Sequence, residues 1–170
     1  MIKINIENES GKLKSVVLGI ATDFGGTPNI EDCYDPKSRV HVMEGTFPEN
    51  KACVNEIEAL FGVFEKYDIN VFRPQNIKGL NQIFSRDIAF AISDKLVIPN
   101  IIEDRIKEID AIADVINKIK CEDIIKMPLS TRAEGGDIMP CNEYIFVGYS
   151  EKEDFEKYTV ARTNKSALDF

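Results

Sequence analysis

Metal-binding and redox motifs are scarce in this sequence. Histidine occurs once, as His41, and the cysteines are Cys33, Cys53, Cys121 and Cys141. There is no C-x-x-C pair and no histidine cluster, and these absences argue against a structural zinc site. We therefore predict four reduced thiols, most of them packed in the interior, and no metal.

Long apolar stretches and basic stripes are also missing. No apolar run reaches the roughly 20 residues that a membrane helix needs. The first ten residues alternate apolar and polar side chains, without the basic start and apolar core of an export signal. A formal net charge of -8 repels nucleic-acid phosphates. We expect a cytoplasmic protein with neither a membrane nor a nucleic-acid partner.

The composition that is present fits one globular domain, residues 1–170. A chain of 170 residues can bury about 70% of its unfolded surface, enough for a core without disulfides. Hydrophobic residues make up 44% and charged residues 29%, which is ordinary for a globular fold. The sequence therefore predicts a self-contained hydrophobic core.

The first third of the chain predicts a strand-helix-strand unit. Residues 14–20 form a short β-branched run typical of a buried strand, and residues 69–72 form another that ends before Pro74. Between them, Asn50 is predicted to cap a helix with apolar residues at steps of three and four. Residues 21–49 carry so many glycines and prolines that they predict a long functional loop without a helix, such as a lid.

Two further units follow the same plan. The second has a hairpin over residues 88–98, a helix capped by Asn100 with an apolar stripe to Ile119, and a strand at 123–127. The third has a hairpin over 136–149, a capping box at Ser150 and Glu153, and a final loop with one helical turn at 163–170. Helix starts recur about every 50 residues, which predicts repeated α/β modules of which the third is unfinished.

Two acidic turns precede the two hairpins at equivalent points of the repeat. They are Ser85-Arg86-Asp87 and Arg132-Ala133-Glu134-Gly135-Gly136-Asp137. Facing carboxylates suit a guanidinium, which is planar and permanently charged, and glycines let the backbone approach a ligand closely. The alternative is structural: Asp87 pairs with a nearby arginine or caps a turn, while Glu134 and Asp137 flank a glycine turn.

This pattern resembles the guanidino-group-modifying superfamily, which includes arginine deiminase, dimethylarginine dimethylaminohydrolase and the amidinotransferases. The matching stretches are residues 84–87 (FSRD), 134–137 (EGGD) and 161–164 (ARTN). The loop from Gly25-Gly26-Thr27-Pro28 through Cys33-Tyr34-Asp35-Pro36 is similar to that of the amidinotransferase branch. The resemblance covers essentially the whole chain.

The resemblance implies a pentein-type α/β propeller of about five ββαβ modules around an axial active site, with about two and a half modules present here. Asp87 would hold the substrate guanidinium, and Glu134 would orient a catalytic histidine. Arg86 and Asp137 would be substrate contacts or turn-holding groups. In this family a cysteine thiolate attacks the guanidino carbon and a histidine shuttles protons, so no metal or cofactor is required.

The chain departs from the family in one large respect, because the catalytic histidine and cysteine of the family lie in a C-terminal half that is absent here. His41 falls in the breaker-rich loop, where a packing or surface role is expected, and no cysteine has a visible activating neighbour. The chain is then the N-terminal half of an amidinotransferase or guanidino hydrolase acting on arginine-like substrates. The alternatives are a non-catalytic binding or oligomerisation protein and a truncated product without a role of its own.

The incomplete propeller that the resemblance implies also predicts partners for this chain. An incomplete propeller exposes sheet edges and apolar faces. We therefore expect a homo-oligomer or a complementing C-terminal chain, together with an arginine-like guanidino ligand.

Overall fold

The computed structural model describes residues 1–33, 35–150 and 162–170 as a mixed α/β fold. Its helices are α1 (Pro36–Glu44), α2 (Asn50–Lys66), α3 (Ser85–Ile88), α4 (Ile106–Ala111) and α5 (Ala113–Ile116). Its strands are β1 (Ser15–Val17), β2 (Asn70–Phe72), β3 (Phe90–Ile92), β4 (Lys95–Ile98), β5 (Ile124–Lys126), β6 (Ile138–Cys141) and β7 (Tyr144–Val147). Short 3-10 turns lie at Ile30–Asp32, Glu103–Arg105, Cys121–Asp123, Gly135–Asp137 and Lys165–Ala167.

The described strands pair into three small sheets, one for each predicted unit. β1 runs parallel to β2, and Val16 lies opposite Val71. β3 and β4 form an antiparallel hairpin, and β5 adds to β4 in parallel after the helical segment between them. β6 and β7 form the last hairpin, with Met139 opposite Phe146. The predicted strands are therefore confirmed, and the middle unit has the two-strand, helix, strand order of a ββαβ module.

The predicted helix after residue 50 is confirmed as α2, but its cap was predicted wrongly. Glu49 is the capping residue and makes no side-chain hydrogen bond there. Asn50 instead donates from Nδ2 to the carbonyl oxygens of Ala21 (2.7 Å) and Thr22 (3.4 Å). The amide side chain thereby ties the start of α2 to the segment that follows β1.

The prediction that residues 21–49 lack a helix was wrong, because this segment contains α1. The helix breakers lie at its ends: Pro36 is the first residue, and Gly45 ends the helix with a left-handed φ of 68°. The Asp35 carboxylate accepts from the Ser38 amide at 2.8 Å. His41 therefore lies in a helix, exposed, with Nδ1 2.8 Å from Thr46 Oγ1.

The single helix predicted between residues 100 and 119 is also wrong. The segment is divided into a 3-10 turn, α4 and α5, and Ile112 leaves helical geometry at φ -101° and ψ 11°. Asn100 does not cap it, because its amide donates to the carbonyl oxygens of Met127, Pro128 and Thr131. One further boundary differs, since Ile88 ends the helical turn α3 instead of opening the hairpin.

Within the described residues, two clusters of buried side chains each adjoin an acidic turn. Their buried members are Ile88, Ile101 and Ile112 in the first cluster and Val97, Met127 and Ala133 in the second. Ile88 directly follows Asp87, and Ala133 directly precedes Glu134. Packing of these apolar residues therefore fixes the backbone on which both carboxylates stand.

The four thiols differ in how deeply they are buried. All four cysteines are free, but Cys121 and Cys141 are exposed, so the prediction of mostly packed thiols holds only for Cys33 and, in part, for Cys53. Glu153 of the predicted capping box lies outside the described residues. Within the described ranges, no helix is both long and apolar enough to cross a membrane.

Candidate functional site

The two acidic turns pack directly against each other, backbone to backbone. A Cβ atom added at Gly135 would lie 2.0 Å from the carbonyl oxygen of Arg86, and one added at Gly136 would lie 2.5 Å from Asp87 Oδ1. No side chain other than hydrogen fits at the first of these positions without moving the backbone. The paired glycines thus let α3 and the 135–137 turn approach each other closely.

A guanidinium group lies between the two turns, and it belongs to Arg105. Its Nε and Nη2 donate to the two oxygens of Glu108, both at 2.8 Å. Nη1 donates to Asp87 Oδ2 at 2.7 Å and to Glu134 Oε2 at 3.4 Å, and Nη2 also donates to the carbonyl oxygen of Phe84 at 3.2 Å. The contact that the structural alternative foresaw, between Asp87 and a nearby arginine, is therefore present.

The centre of this charge cluster is closed to solvent. The side chains of Arg105, Glu108 and Glu134 are 4%, 3% and 6% exposed, whereas that of Asp87 is 23% exposed. Sequence reasoning missed Arg105 and Glu108 because charged residues on a predicted helix are usually solvated. Their spacing of three residues, which places two side chains on one helical face, is the signal that indicates the pair.

The two carboxylate oxygens of Glu134 differ in their hydrogen bonds. Its Oε2 accepts from Arg162 Nη1 at 2.8 Å, in addition to Arg105. Its Oε1 is buried and has no hydrogen-bond donor among the residues that the structure describes. Buried carboxylate oxygens are almost always hydrogen-bonded, so this atom lacks a donor that such an atom ordinarily has.

Burial changes the protonation chemistry of the cluster. It raises the pKa of Glu108 and Glu134 above the ordinary value, although Arg105 and Arg162 act in the opposite direction. Burial lowers the pKa of Arg105, but hydrogen bonds to Glu108 and Asp87 outweigh it and raise that pKa. Arginine stays charged at any pH at which proteins fold. The cluster thus holds a permanent cation beside two carboxylates, Glu108 and Glu134, that take up protons more readily than in water.

A pH dependence of stability follows from these carboxylates. A carboxyl whose folded pKa is raised binds more protons in the folded than in the unfolded state, so its contribution is fully present below about pH 4.5. That contribution is lost as pH rises through the folded pKa. We expect Glu134→Gln to remove part of the decline in unfolding free energy above this pH, measured by urea titration at several pH values. Glu143→Gln, at an exposed turn, is the control and should leave the slope unchanged; equal slopes for the wild type and Glu134→Gln would contradict the assignment.

Asp137 and Arg86 hold the turns in place. Asp137 Oδ2 accepts from the Arg162 amide at 3.0 Å, the Thr163 amide at 3.1 Å and Thr163 Oγ1 at 2.9 Å, and Thr163 is fully buried. Arg86 Nη2 donates to the Ile138 carbonyl oxygen at 2.8 Å and pairs with Glu9. Of the two roles left open for these residues, turn-holding describes their contacts; substrate contact stays a prediction.

The fold of this chain is similar to that of several solved structures. No protein-family model and no curated protein matches the sequence. A dimethylarginine dimethylaminohydrolase solved as an adduct with S-methyl-L-thiocitrulline matches with TM-score 0.65 and 15% identity, over 93% of this chain and 55% of its own. The dimethylarginine dimethylaminohydrolase of Pseudomonas aeruginosa, solved with citrulline, matches with TM-score 0.63 and 15% identity, over 90% and 52%. An amidinotransferase of saxitoxin biosynthesis from Microseira wollei matches with TM-score 0.64 and 14% identity, over 86% and 54%.

These neighbours share one chemistry-bearing fold. All three are members of the guanidino-modifying pentein superfamily. The chain spans about half the length of the structures it matches. At such low sequence identity the likeness establishes the fold alone. This chain has the fold of the matched half of the pentein-type guanidino-modifying enzymes.

Proposed function

We propose that this chain is the N-terminal half of a guanidino-group-modifying enzyme, an amidinotransferase or a guanidino hydrolase acting on arginine-like substrates. The observation that carries the proposal is that Oε1 of Glu134 is buried without a hydrogen-bond donor among the described residues. Glu134 lies beside Asp87 in a fold that matches such enzymes. A buried carboxylate with one oxygen free is the acceptor that a catalytic histidine needs in order to be held in one tautomer and stabilised when it is charged.

The roles of the residues follow from their positions. Asp87 stands at the exposed edge of the cluster, where its carboxylate can contact a substrate guanidinium. Glu134 accepts the ring N–H of the histidine, while Asp137 and Arg86 hold the turns. A cysteine thiolate bonds to the guanidino carbon, the histidine protonates the departing amine, and water or an acceptor amine then takes the amidino group. This chemistry requires no metal or cofactor.

The proposal includes a partner and a location. We infer that the chain contributes about two and a half modules of a propeller and that further polypeptide supplies the histidine and the cysteine. Exposed apolar residues on β6 and β7 support a covering chain: Met139, Tyr144, Ile145 and Phe146 are each between 47% and 64% exposed. The cover is a complementing C-terminal chain or a second copy of this one. We expect the assembly to be cytoplasmic.

A complementation experiment tests the catalytic proposal. The chain is mixed with a polypeptide that carries the remaining modules, and release of citrulline, ornithine or ammonia from L-arginine is measured. We expect turnover only from the mixture. Glu134→Gln should lower the rate by roughly 10²-fold or more, because a positioned proton shuttle contributes about that much. Glu143→Gln is the matched control and should retain the rate.

The second candidate function is a non-catalytic protein that binds arginine-like cations, and the same complex distinguishes it from the enzyme. A folded complex that releases no product from L-arginine would count against catalysis. Saturable L-arginine binding by that silent complex, weakened by Asp87→Asn, would favour a non-catalytic binding protein. The observation behind this second candidate is that the chain's own arginines already pair with both predicted acids.

A further inference from the structure

The surroundings of Arg105 form a complete receptor for a guanidinium group. A guanidinium side chain carries five N–H donors. Here Nε donates once, to Glu108, and Nη1 and Nη2 each donate to two acceptors, so the number of acceptors equals the number of N–H groups. The acceptors come from α3 and the residue before it, from α4 and from the turn after Ala133, and the fold brings these separate segments together.

We propose that Arg105 is a built-in competitor at this receptor: its side chain blocks a guanidinium-binding site formed by Asp87, Glu108 and Glu134, and removing that side chain opens the site to free alkylguanidinium ions. The proposal deepens the function proposed above, because it names what controls access to the same acids. It requires no turnover and no second polypeptide.

Charge and tethering explain why the native chain should resist such ligands. With Arg105 truncated, three carboxylates would share one hydrogen-bonded cation among the described residues, Arg162 beside Glu134, and a positive ligand would restore the balance of charge. In the native chain the tethered guanidinium competes as an intramolecular ligand, at an effective concentration in the millimolar range or above. A site that is open less than about a tenth of the time loses about tenfold or more in apparent affinity.

The experiment compares the full-length wild type with Arg105→Ala, using propylguanidinium as the probe and propylammonium as the control cation. Binding is followed by calorimetry and by the melting temperature at millimolar ligand. We expect Arg105→Ala to bind propylguanidinium saturably, at least about tenfold more tightly than the wild type does. Propylammonium should bind neither protein, because an ammonium lacks the planar fork that three carboxylates grip.

A second variant ties the binding to the named acids. Adding Asp87→Asn to Arg105→Ala should abolish the preference for propylguanidinium. If Arg105→Ala is unfolded by itself, refolding promoted by propylguanidinium and not by propylammonium supports the proposal, whereas failure of both cations overturns it. Equal or tighter binding by the wild type also overturns it. None of these outcomes depends on catalysis, so they are read separately from the complementation experiment.

Discussion

Gly135→Ala should destabilise the protein by about 3 kcal/mol or more, at the upper end of the usual cost of overpacking. The added methyl would lie 2.0 Å from the backbone carbonyl oxygen of Arg86 and 3.2 Å from Phe90 Cβ. An ordinary contact begins at 3.4 Å, so the two acidic turns would have to separate by more than an ångström. Because the obstacle is backbone, no side-chain rotation relieves it. The free energy of unfolding in urea measures the effect.

Gly148→Ala is the matched control for this substitution. A Cβ atom at Gly148 would meet Asp137 Oδ1 at 3.6 Å, which is an ordinary contact, so the stability should change by less than about 0.5 kcal/mol. Neither glycine has a positive φ, so loss of conformational freedom does not separate the two variants. Equal stabilities for Gly135→Ala and Gly148→Ala would mean that the turns do not pack as described, and the whole site assignment would lose its basis.

Patterns of apolar residues predicted the strands and α2 because those residues recur with the period of a strand or of a helix. Val16 and Val71 belong to β-branched runs, and in α2 the apolar residues at steps of three and four include the half-buried Ile57 and Phe61. The prediction failed where single residues were read as breakers. Pro36 needs no amide hydrogen at the first helical position, and Gly45 accepts the left-handed conformation just beyond the end, so both mark the ends of α1 instead of excluding it.

Tertiary contacts overrode local preference at the asparagines and in the segment around α4. Asparagine is favoured at helix caps, yet the side-chain amides of Asn50 and Asn100 donate to carbonyl oxygens that are distant in the sequence. No local sequence pattern indicates these contacts. The helical segment after Asn100 breaks at Ile112, a residue that is buried in the core.

The site was predictable only in part. Asp87 and Glu134 could be proposed because their turns repeat at equivalent positions and resemble those of the guanidino-group-modifying superfamily. Arg105 and Glu108 could not be proposed, because a buried ion pair and a solvated one can have the same residues at the same spacing. Only the packing of three separate segments shows that this pair is buried. Asp87 and Glu134, which the sequence predicted as residues of the site, are therefore already paired with arginine side chains of the chain itself.

Arg105→Met is expected to cost about 3–5 kcal/mol at neutral pH, the range for removing one partner from a buried ion pair. Methionine fills most of the arginine stem, so lost packing contributes little. The penalty arises because Glu108 and Glu134 stay buried with fewer hydrogen-bond donors. Lowering the pH should recover part of this loss. The raised pKa of each carboxyl means that it takes up a proton early on acidification, and removing Arg105, which lowers both pKa values, strengthens that tendency.

Urea titrations of Arg105→Met and the wild type between about pH 5 and pH 7 measure this difference. The gap between the two should narrow steadily toward the acidic end, because protonated carboxyls no longer require a cation. Lys120→Met removes a cation from an exposed pair with Glu122 and should change stability little at any pH. A gap that stays constant with pH would show that Arg105 acts through packing alone, and the carboxylates around it would then not form the charged receptor on which ligand access depends.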